Sequence, residues 1–122
     1  MKKKILKILR TKSKRTLVCL TAYSKPIAKI VDKHCDIVLV GDSLATAMYG
    51  MENTHKITLE NMMQHGHSVS SNLSKALCVI DMPINTYRTI KEAQKNAMLI
   101  LKRTKCDAVK MECNGKNFNI IK

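Results

Sequence analysis

The chain has 122 residues, of which 45% are hydrophobic and 25% are charged, enough for one domain with a core and unlike the composition of a disordered chain. Its 22 Lys and Arg against 9 Asp and Glu give a formal net charge of +13, a balance that attracts polyanions. The positive residues are spread over nearly every predicted helix, and aromatic residues make up only 3%, so we expect no nucleic-acid partner.

A short basic helix is predicted at the start of the chain. Residues 1–10 mix lysines with apolar residues, and no acidic residue occurs before Asp32. A targeting peptide is the alternative, but Lys7 interrupts the apolar run, which is too short for a secretory signal. We therefore expect an amphipathic helix packed on one end of the domain, followed by a polar connector over residues 11–15.

Four apolar runs that end on polar residues, or are closely followed by them, are predicted to be buried strands. They are Thr16–Thr21, Asp36–Val40, Ala76–Asp81 and Ala108–Glu112. Helical patterns separate these runs, which indicates an α/β fold of parallel strands joined by right-handed crossovers. The sequence contains no repeat beyond this β/α unit and no glycine-rich phosphate loop.

The first two strands are predicted to be followed by different connections, a helix after the first and a long loop after the second. Ser24 as N-cap and Pro26 in the first turn begin a helix that ends near His34. Its inward face is predicted to consist of Ile27, Ile30 and Val31. After the second strand we expect a loop over residues 44–57, and loops of roughly a dozen residues are often functional.

The two later helices carry clearer start signals. Thr58 with Asn61 three residues on resembles a capping box, and either Thr86 or Thr89 begins a helix that runs to about Arg103. The residues expected to face the core are Leu59, Met62, Met63, Val69 and Leu73 in the first of these helices and Ala93, Ala97, Ile100 and Leu101 in the second.

Two smaller features complete the chain. His65 and His67 are two apart on a helix and so lie on different faces, which favours surface or packing roles. The tail over residues 113–122 contains Phe118, Ile120 and Ile121, which need a partner surface.

The five cysteines are odd in number and show no C-x-x-C spacing, so neither a disulfide framework nor a zinc site is indicated. This pattern fits a reducing compartment, and we expect a cytoplasmic protein. No apolar run approaches the ~18 residues needed to cross a bilayer, so we expect no membrane partner.

Polar side chains follow the predicted strands where their carboxyl ends would share one edge of the sheet. Asp42 and Ser43 follow the second strand, Asp81 ends the third, and Lys110 and Glu112 point to one face of the fourth. Converging carboxylates without thiolates suit a hard cation such as Mg²⁺, and the lysine could neutralise a substrate carboxylate. An α-keto acid is a natural ligand for such a site. The alternative is that each Asp is only a helix cap or a turn residue.

Several segments, in order and spacing, resemble the ketopantoate hydroxymethyltransferase (3-methyl-2-oxobutanoate hydroxymethyltransferase) family from about Leu17 to Glu112. They are Leu20-Thr21-Ala22-Tyr23, Ala28-Lys29-Ile30, Asp36-Ile37-Val38-Leu39-Val40-Gly41-Asp42-Ser43-Leu44, Thr58-Leu59-Glu60-Asn61-Met62, Asp81-Met82-Pro83 and Val109-Lys110-Met111-Glu112.

The resemblance implies a TIM (β/α)₈ barrel that transfers a hydroxymethyl group from 5,10-methylenetetrahydrofolate to 3-methyl-2-oxobutanoate. The product would be 2-dehydropantoate, in pantothenate biosynthesis, formed by Mg²⁺-assisted enolisation and an aldol-type addition. By resemblance, Asp42, Asp81 and Glu112 are the magnesium ligands, and the keto acid is held by Asp42, Ser43, Asp81 and Lys110.

The sequence departs from the family pattern in length and in its loops. Only four of the eight strands are present, and the family's proton-abstracting glutamate belongs to the other half, so no catalytic residue is assigned in this chain. Residues 45–48 stand where the family usually has Gly and a β-branched run, and residues 55–57 stand where it has Leu-Pro-Val. Residues 113–114 stand in place of a Gly-Gly pair, and Ser24 stands where an acidic residue is frequent.

We therefore expect a single partial barrel domain over residues 1–122, the first half of a TIM barrel, as a fragment or a truncated version of the enzyme. It divides into residues 1–15 (helix and connector), 16–112 (four β/α units) and 113–122 (tail). A homo-oligomer or a complementing half-barrel chain would complete it. The alternative functions are a non-catalytic basic protein that binds nucleic acid or acidic surfaces, and a related Mg²⁺-dependent keto-acid lyase.

Overall fold

The structure, a computed structural model, describes residues 2–113, 115 and 118–121. Four strands alternate with helices: β1 (Cys19–Thr21), β2 (Ile37–Val40), β3 (Leu77–Asp81) and β4 (Ala108–Lys110). The helices are α1 (Lys2–Thr11), α2 (Lys25–Val31), α3 (Leu44–Tyr49), α4 (Leu59–Ser70), α5 (Ile90–Thr104) and α6 (Phe118–Ile121), with a 3₁₀ turn at Thr54–Lys56.

The four strands form one sheet in the order β1-β2-β3-β4, and every pair is parallel. Leu39 lies opposite Thr21 on one side and Val79 on the other, and Asp81 lies opposite Lys110. Sequential parallel strands with a helix between each pair are the arrangement of half a (β/α)₈ barrel, so the predicted α/β fold is confirmed.

One face of the sheet is covered by helices and carries the core. Val38, Val40 and Ile80 point to this face and are fully buried. Helix α4 approaches closely because Gly66 has no side chain: a Cβ there would lie 2.4 Å from Ile80 Cδ1. The opposite face is less covered, since Leu39 and Val79 are only half-buried.

Strand β1 is shorter than predicted and is exposed along its whole length, so the prediction of a buried first strand was wrong. The error arises because β1 lies at the edge of the sheet, with β2 as its one neighbour in the described residues. A second neighbouring strand with its helix would be needed to bury β1. The predicted inner face of α2 was wrong at two of its three residues, whereas the third, Val31, packs partly against the core. Ile27 and Ile30 are 46% and 59% exposed, and Ala28 is the residue that α2 buries.

The segment predicted as a loop over residues 44–57 is largely helical, which corrects that prediction. Helix α3 forms because its six residues, apart from Thr46, contain no strong competitor for backbone hydrogen bonds. It ends at Gly50, whose φ of 63° supplies the left-handed conformation common at a helix C-terminus.

The predicted starts of α4 and α5 are confirmed. Thr58 and Asn61 form a reciprocal capping box, and Thr89 Oγ accepts from the Glu92 N–H at 3.2 Å. The core face of α4 is also confirmed at its buried residues Met62, Met63 and Val69.

At the carboxyl end of the chain, one difference from the prediction affects a predicted site residue. Strand β4 ends at Lys110, so Glu112 lies beyond the strand and is exposed. In the predicted tail, residues 114, 116, 117 and 122 and the side chain of Ile121 lie outside the described residues, whereas Ile120 packs partly against the core. No helix in the described ranges is long and apolar enough to cross a membrane.

The amino ends of two strand pairs are joined in the same way. The Val18 N–H donates to Asp36 Oδ2 at 3.1 Å, and the Asp36 N–H donates back to the Val18 carbonyl at 2.9 Å. Cys78 and Asp107 repeat this exchange between β3 and β4, at 3.0 Å in both directions. The Arg15 guanidinium holds the pKa of Asp36 well below its usual range through hydrogen bonds to the carboxylate.

Candidate functional site

Asp81 and Lys110 are the last residues of two neighbouring strands and lie opposite each other. Lys110 Nζ donates to Asp81 Oδ1 at 2.6 Å. The Asp81 side chain is 5% exposed, and the Lys110 side chain is 45% exposed. The pair therefore combines a buried carboxylate with an ammonium group that solvent and small molecules can reach.

The second oxygen of Asp81 connects this pair to the end of β2. The Asp42 N–H donates to Asp81 Oδ2 at 3.2 Å. Gly41 lies directly over this contact: a Cβ at that position would be 2.9 Å from Ser43 Oγ and 3.6 Å from Asp81 Oδ2. A side chain at this position would therefore displace the Ser43 hydroxyl from its present place.

Ser43 is positioned by a residue that follows β1. Its Oγ lies 2.8 Å from the Tyr23 hydroxyl, and it makes no side-chain capping bond to α3 although it occupies the N-cap position. The contact joins residues that are 20 apart in sequence, so spacing could not have predicted it. The one signal was that Tyr23 belongs to the first segment that resembles the family.

His65 supports the same corner of the site. Its Nδ1 lies 2.7 Å from the Tyr23 carbonyl oxygen, which can only accept, so Nδ1 carries the proton. In the neutral ring Nε2 then accepts from the Tyr49 hydroxyl at 3.0 Å. The prediction of a packing role for His65 is confirmed, but its connection from α3 and α4 to Tyr23 was missed.

The Tyr87 hydroxyl lies within electrostatic range of the three predicted carboxylates. Its side chain is buried, which raises the pKa of the phenol, and the negative charges of Glu112, Asp42 and Asp81 raise this pKa further. A backbone group of Glu112 is hydrogen-bonded to the Tyr87 hydroxyl. The three acids therefore act on one buried phenol, although Glu112 itself is exposed.

The edge of the sheet at which β2, β3 and β4 end, called the rim below, carries the predicted carboxylates Asp42, Asp81 and Glu112. In the part of the chain that the structure describes, no three His, Cys, Asp or Glu side chains are arranged as a closed metal site. Mg²⁺, however, commonly takes only one or two protein carboxylates and keeps several waters. The described contact between Asp42 and Asp81 runs through the Asp42 backbone N–H, and the exposed Glu112 lies two residues beyond the end of β4.

A cavity of about 640 Å³ lies at the other end of the sheet, near the residues that precede β2 and β3. Its wall includes Asp32, which accepts hydrogen bonds from the backbone of Ser74, Lys75 and Ala76. Burial alone would raise the pKa of Asp32, but these bonds outweigh it and lower the pKa to about 2. The carboxylate thus has a structural role away from the rim.

Comparison with known proteins adds independent information about the whole chain. The ketopantoate hydroxymethyltransferase family profile matches residues 2–122. The chain is 52% identical to the 3-methyl-2-oxobutanoate hydroxymethyltransferase of Pelagibacter ubique over 122 residues, which is all of this chain and 48% of that protein. It is 51% identical to that of Anaplasma marginale over 108 residues, 88% of this chain and 39% of that protein. The chain thus spans less than half the length of these relatives.

Proposed function

The chain belongs to the ketopantoate hydroxymethyltransferase family, and we propose that it forms the keto-acid site of a hydroxymethyl transfer reaction. In that reaction 5,10-methylenetetrahydrofolate supplies a one-carbon unit and water supplies its hydroxyl. 3-Methyl-2-oxobutanoate receives the resulting hydroxymethyl group, and 2-dehydropantoate and tetrahydrofolate are formed. The substrates are part of the proposal and not of the family assignment, because the chain spans 48% or less of the length of the relatives compared above. The observation that carries it is the buried Asp81 carboxylate held between Lys110 and the end of β2.

Lys110 is the residue that would bind the carboxylate of the keto acid. Its ammonium group has three N–H donors, and Asp81 accepts from one of them. Because the side chain is 45% exposed, another donor can reach an anionic ligand at the rim. The Ser43 hydroxyl, held by Tyr23, is the neutral group beside it that could bind a further substrate oxygen.

The charge of the rim explains why a cation would be needed. Asp42, Asp81 and Glu112 contribute three negative charges against the one positive charge of Lys110, so the bare rim would repel an anionic keto acid. A divalent ion balances this excess, and Asp42 and Asp81 would hold it with water as the remaining ligands. When bound, Mg²⁺ supplies Lewis-acid polarisation of the keto-acid oxygens, which makes the neighbouring C–H more acidic.

The residues of this chain would bind and orient the substrate. By the family resemblance given above, the group that removes the proton belongs to the other half of the barrel. The alternative of a non-catalytic polyanion-binding protein is not favoured by the named relatives. We also place the protein in the cytoplasm, which agrees with its five cysteines being free thiols.

Ligand-observed NMR with the purified chain and 3-methyl-2-oxobutanoate tests the proposal. We expect keto-acid binding in the presence of Mg²⁺, loss of that binding on chelation, and at least tenfold weaker binding in Asp81→Asn. Glu60→Gln is the matched control, because Glu60 is an exposed carboxylate on α4 that pairs only with Arg103 among the contacts described. Binding that is absent in the folded chain, or that is equally strong in Asp81→Asn, would contradict the proposal.

A further inference from the structure

Tyr87 is a buried polar side chain to which the proposed function gives no role. It lies between β3 and α5 and is 9% exposed. A buried phenol usually has a hydrogen-bond partner, because an unpaired polar group in the interior is costly. The partner here is a backbone group of Glu112, beyond the end of β4. The bond therefore joins the connection after β3 to the connection after β4.

The Glu112 backbone is the donor in this bond. Burial raises the pKa of the Tyr87 phenol, whereas the bond to Glu112 lowers it. A hydrogen bond lowers the pKa of an acid when it is donated to the oxygen that becomes negative, so the bonded group is the Glu112 N–H. The bond thus fixes the backbone at the point from which the Glu112 side chain extends.

Helix α5 holds the residues on both sides of Tyr87. Asn96 Nδ2 donates to the Thr86 carbonyl oxygen at 2.7 Å, and the Arg88 N–H donates to Glu92 Oε2 at 2.8 Å. Asn96 and Glu92 both belong to α5. The Tyr87 hydroxyl is therefore presented to Glu112 from a position that a 15-residue helix determines.

The chain around Glu112 is more exposed than the chain around Tyr87. Strand β4 ends at Lys110, Met111 packs partly against the core, and Glu112 is exposed. The negative charges of Asp42 and Asp81 at the same rim repel the Glu112 carboxylate and favour its displacement outward. A hydrogen bond from the Glu112 backbone to a buried group opposes this displacement.

We propose that Tyr87 is a positioning residue, whose hydroxyl holds the Glu112 backbone so that the Glu112 carboxylate stays within reach of a divalent cation at the rim. The inference rests on the proposed function for the cation and adds the residue that keeps the third carboxylate of the rim in place. Tyr87 acts through Glu112 and does not itself bind the cation. Both residues of the bond lie in the described part of this chain, so no other polypeptide is needed to form it.

The Glu112 amide in ¹H–¹⁵N NMR spectra of the purified chain tests the bond itself. In the wild type we expect exchange with solvent to be about tenfold or more slower than in an unstructured chain, although Glu112 is exposed. Tyr87→Phe keeps the ring and removes the hydroxyl, so the Glu112 signal should shift and its exchange should accelerate. Tyr49→Phe is the matched control, because it removes a phenol hydroxyl that bonds to His65 and should leave the Glu112 signal unchanged.

Mg²⁺ affinity, measured by titration with the metal alone, tests the positioning role. Tyr87→Phe should weaken Mg²⁺ binding about threefold to tenfold, the size of one neutral hydrogen bond. Glu112→Gln should weaken it as well, and Tyr87→Phe should have no further effect in the Glu112→Gln background. A general structural role for Tyr87 would instead weaken binding in both backgrounds.

Circular dichroism establishes that each variant is folded. If Tyr87→Phe does not fold, the exchange rate of the Glu112 amide in the wild type decides, because the bond predicts slow exchange there. The proposal is overturned by a Glu112 amide that exchanges freely, or by a wild type that binds no Mg²⁺. It is also overturned if Tyr87→Phe leaves Mg²⁺ affinity unchanged or lowers it equally in both backgrounds. Absence of keto-acid binding would contradict only the proposed function, because these titrations contain no keto acid.

Discussion

Lys110 donates to Asp81 across the β3–β4 pair at 2.6 Å, and the two side chains differ ninefold in exposure, 45% against 5%. The buried carboxylate is fixed by β2 and β4 together, since its other oxygen accepts from the Asp42 N–H. Among the described residues, Asp81 is the hydrogen-bond partner found for the ammonium group, so the lysine can turn toward a ligand while the aspartate keeps its place.

Substitution of Lys110 should change the affinities for the two proposed ligands, Mg²⁺ and the keto acid, in opposite directions. Lys110→Met keeps the length of the side chain but removes the charge, so keto-acid affinity should fall about tenfold, the size of one charge-assisted hydrogen bond. Mg²⁺ affinity should rise, because a positive charge next to Asp81 is lost. Separate titrations with Mg²⁺ and with the keto acid measure both effects. A parallel fall in both affinities would show that the variant had disturbed the site as a whole.

The carboxylate of Asp32 should make stability depend on pH in the acid range. Its pKa is about 2 in the folded chain against an ordinary value of 3.8, so the folded state binds this proton less readily than the unfolded state. The stabilisation is therefore complete above about pH 5 and is lost as the pH falls toward 2, and it amounts to ~2 kcal/mol. Urea unfolding of the wild type and Asp32→Asn should differ by this amount at pH 6, and the difference should shrink to less than half of it by pH 2.5. Parallel profiles would contradict the assignment.

The close approach of α4 to the sheet should make Gly66 intolerant of a methyl group. Gly66→Ala gains helix propensity of up to ~1 kcal/mol, but it places Cβ 2.4 Å from Ile80 Cδ1 in a core where overpacking costs about 1–3 kcal/mol. We expect a net loss of stability. Ile80→Val removes Cδ1, so the double variant should be more stable than Gly66→Ala alone, as measured by chemical denaturation. A double variant that is less stable than both single variants would contradict this contact.

The hydrogen bonds of His65 should restrain the connection after β1. His65→Leu leaves the Tyr23 carbonyl without its donor, and Tyr49→Phe removes only the outer hydrogen bond. We expect losses of about 1–3 kcal/mol for His65→Leu and about 1 kcal/mol or less for Tyr49→Phe. Amide exchange at residues 22–24 should accelerate in His65→Leu and change little in Tyr49→Phe. Equal effects of the two substitutions would exclude the Tyr23 carbonyl as the main partner.

Local patterns were sufficient to place the central part of the sheet and the rim. The runs that became β2 and β3 are apolar up to a polar terminus, so Asp42 and Asp81 could be assigned to strand ends before any contact was known. The capping pairs of α4 and α5 were equally visible, because Thr58 and Thr89 act on residues three positions away.

The errors arose where a neighbouring element decides the outcome. The apolar run around Leu20 reads as a buried strand, but burial depends on a second neighbour, and β1 lies at an edge. The contact between His65 and Tyr23 joins residues 42 apart in sequence, and no periodicity encodes it. Helix α3 was missed because it has only six residues and no side-chain cap.

The reciprocal bonds of Asp36 with Val18 and of Asp107 with Cys78 give the sheet a period of two strands rather than one. Each aspartate fixes the register of its strand pair. Sliding the strand by one residue would break both bonds and turn the core side chains of that strand to the other face. An error in one pair would therefore stay within that pair, because the other is aligned by its own aspartate. The four-stranded sheet therefore consists of two strand pairs, and each pair is aligned by its own aspartate.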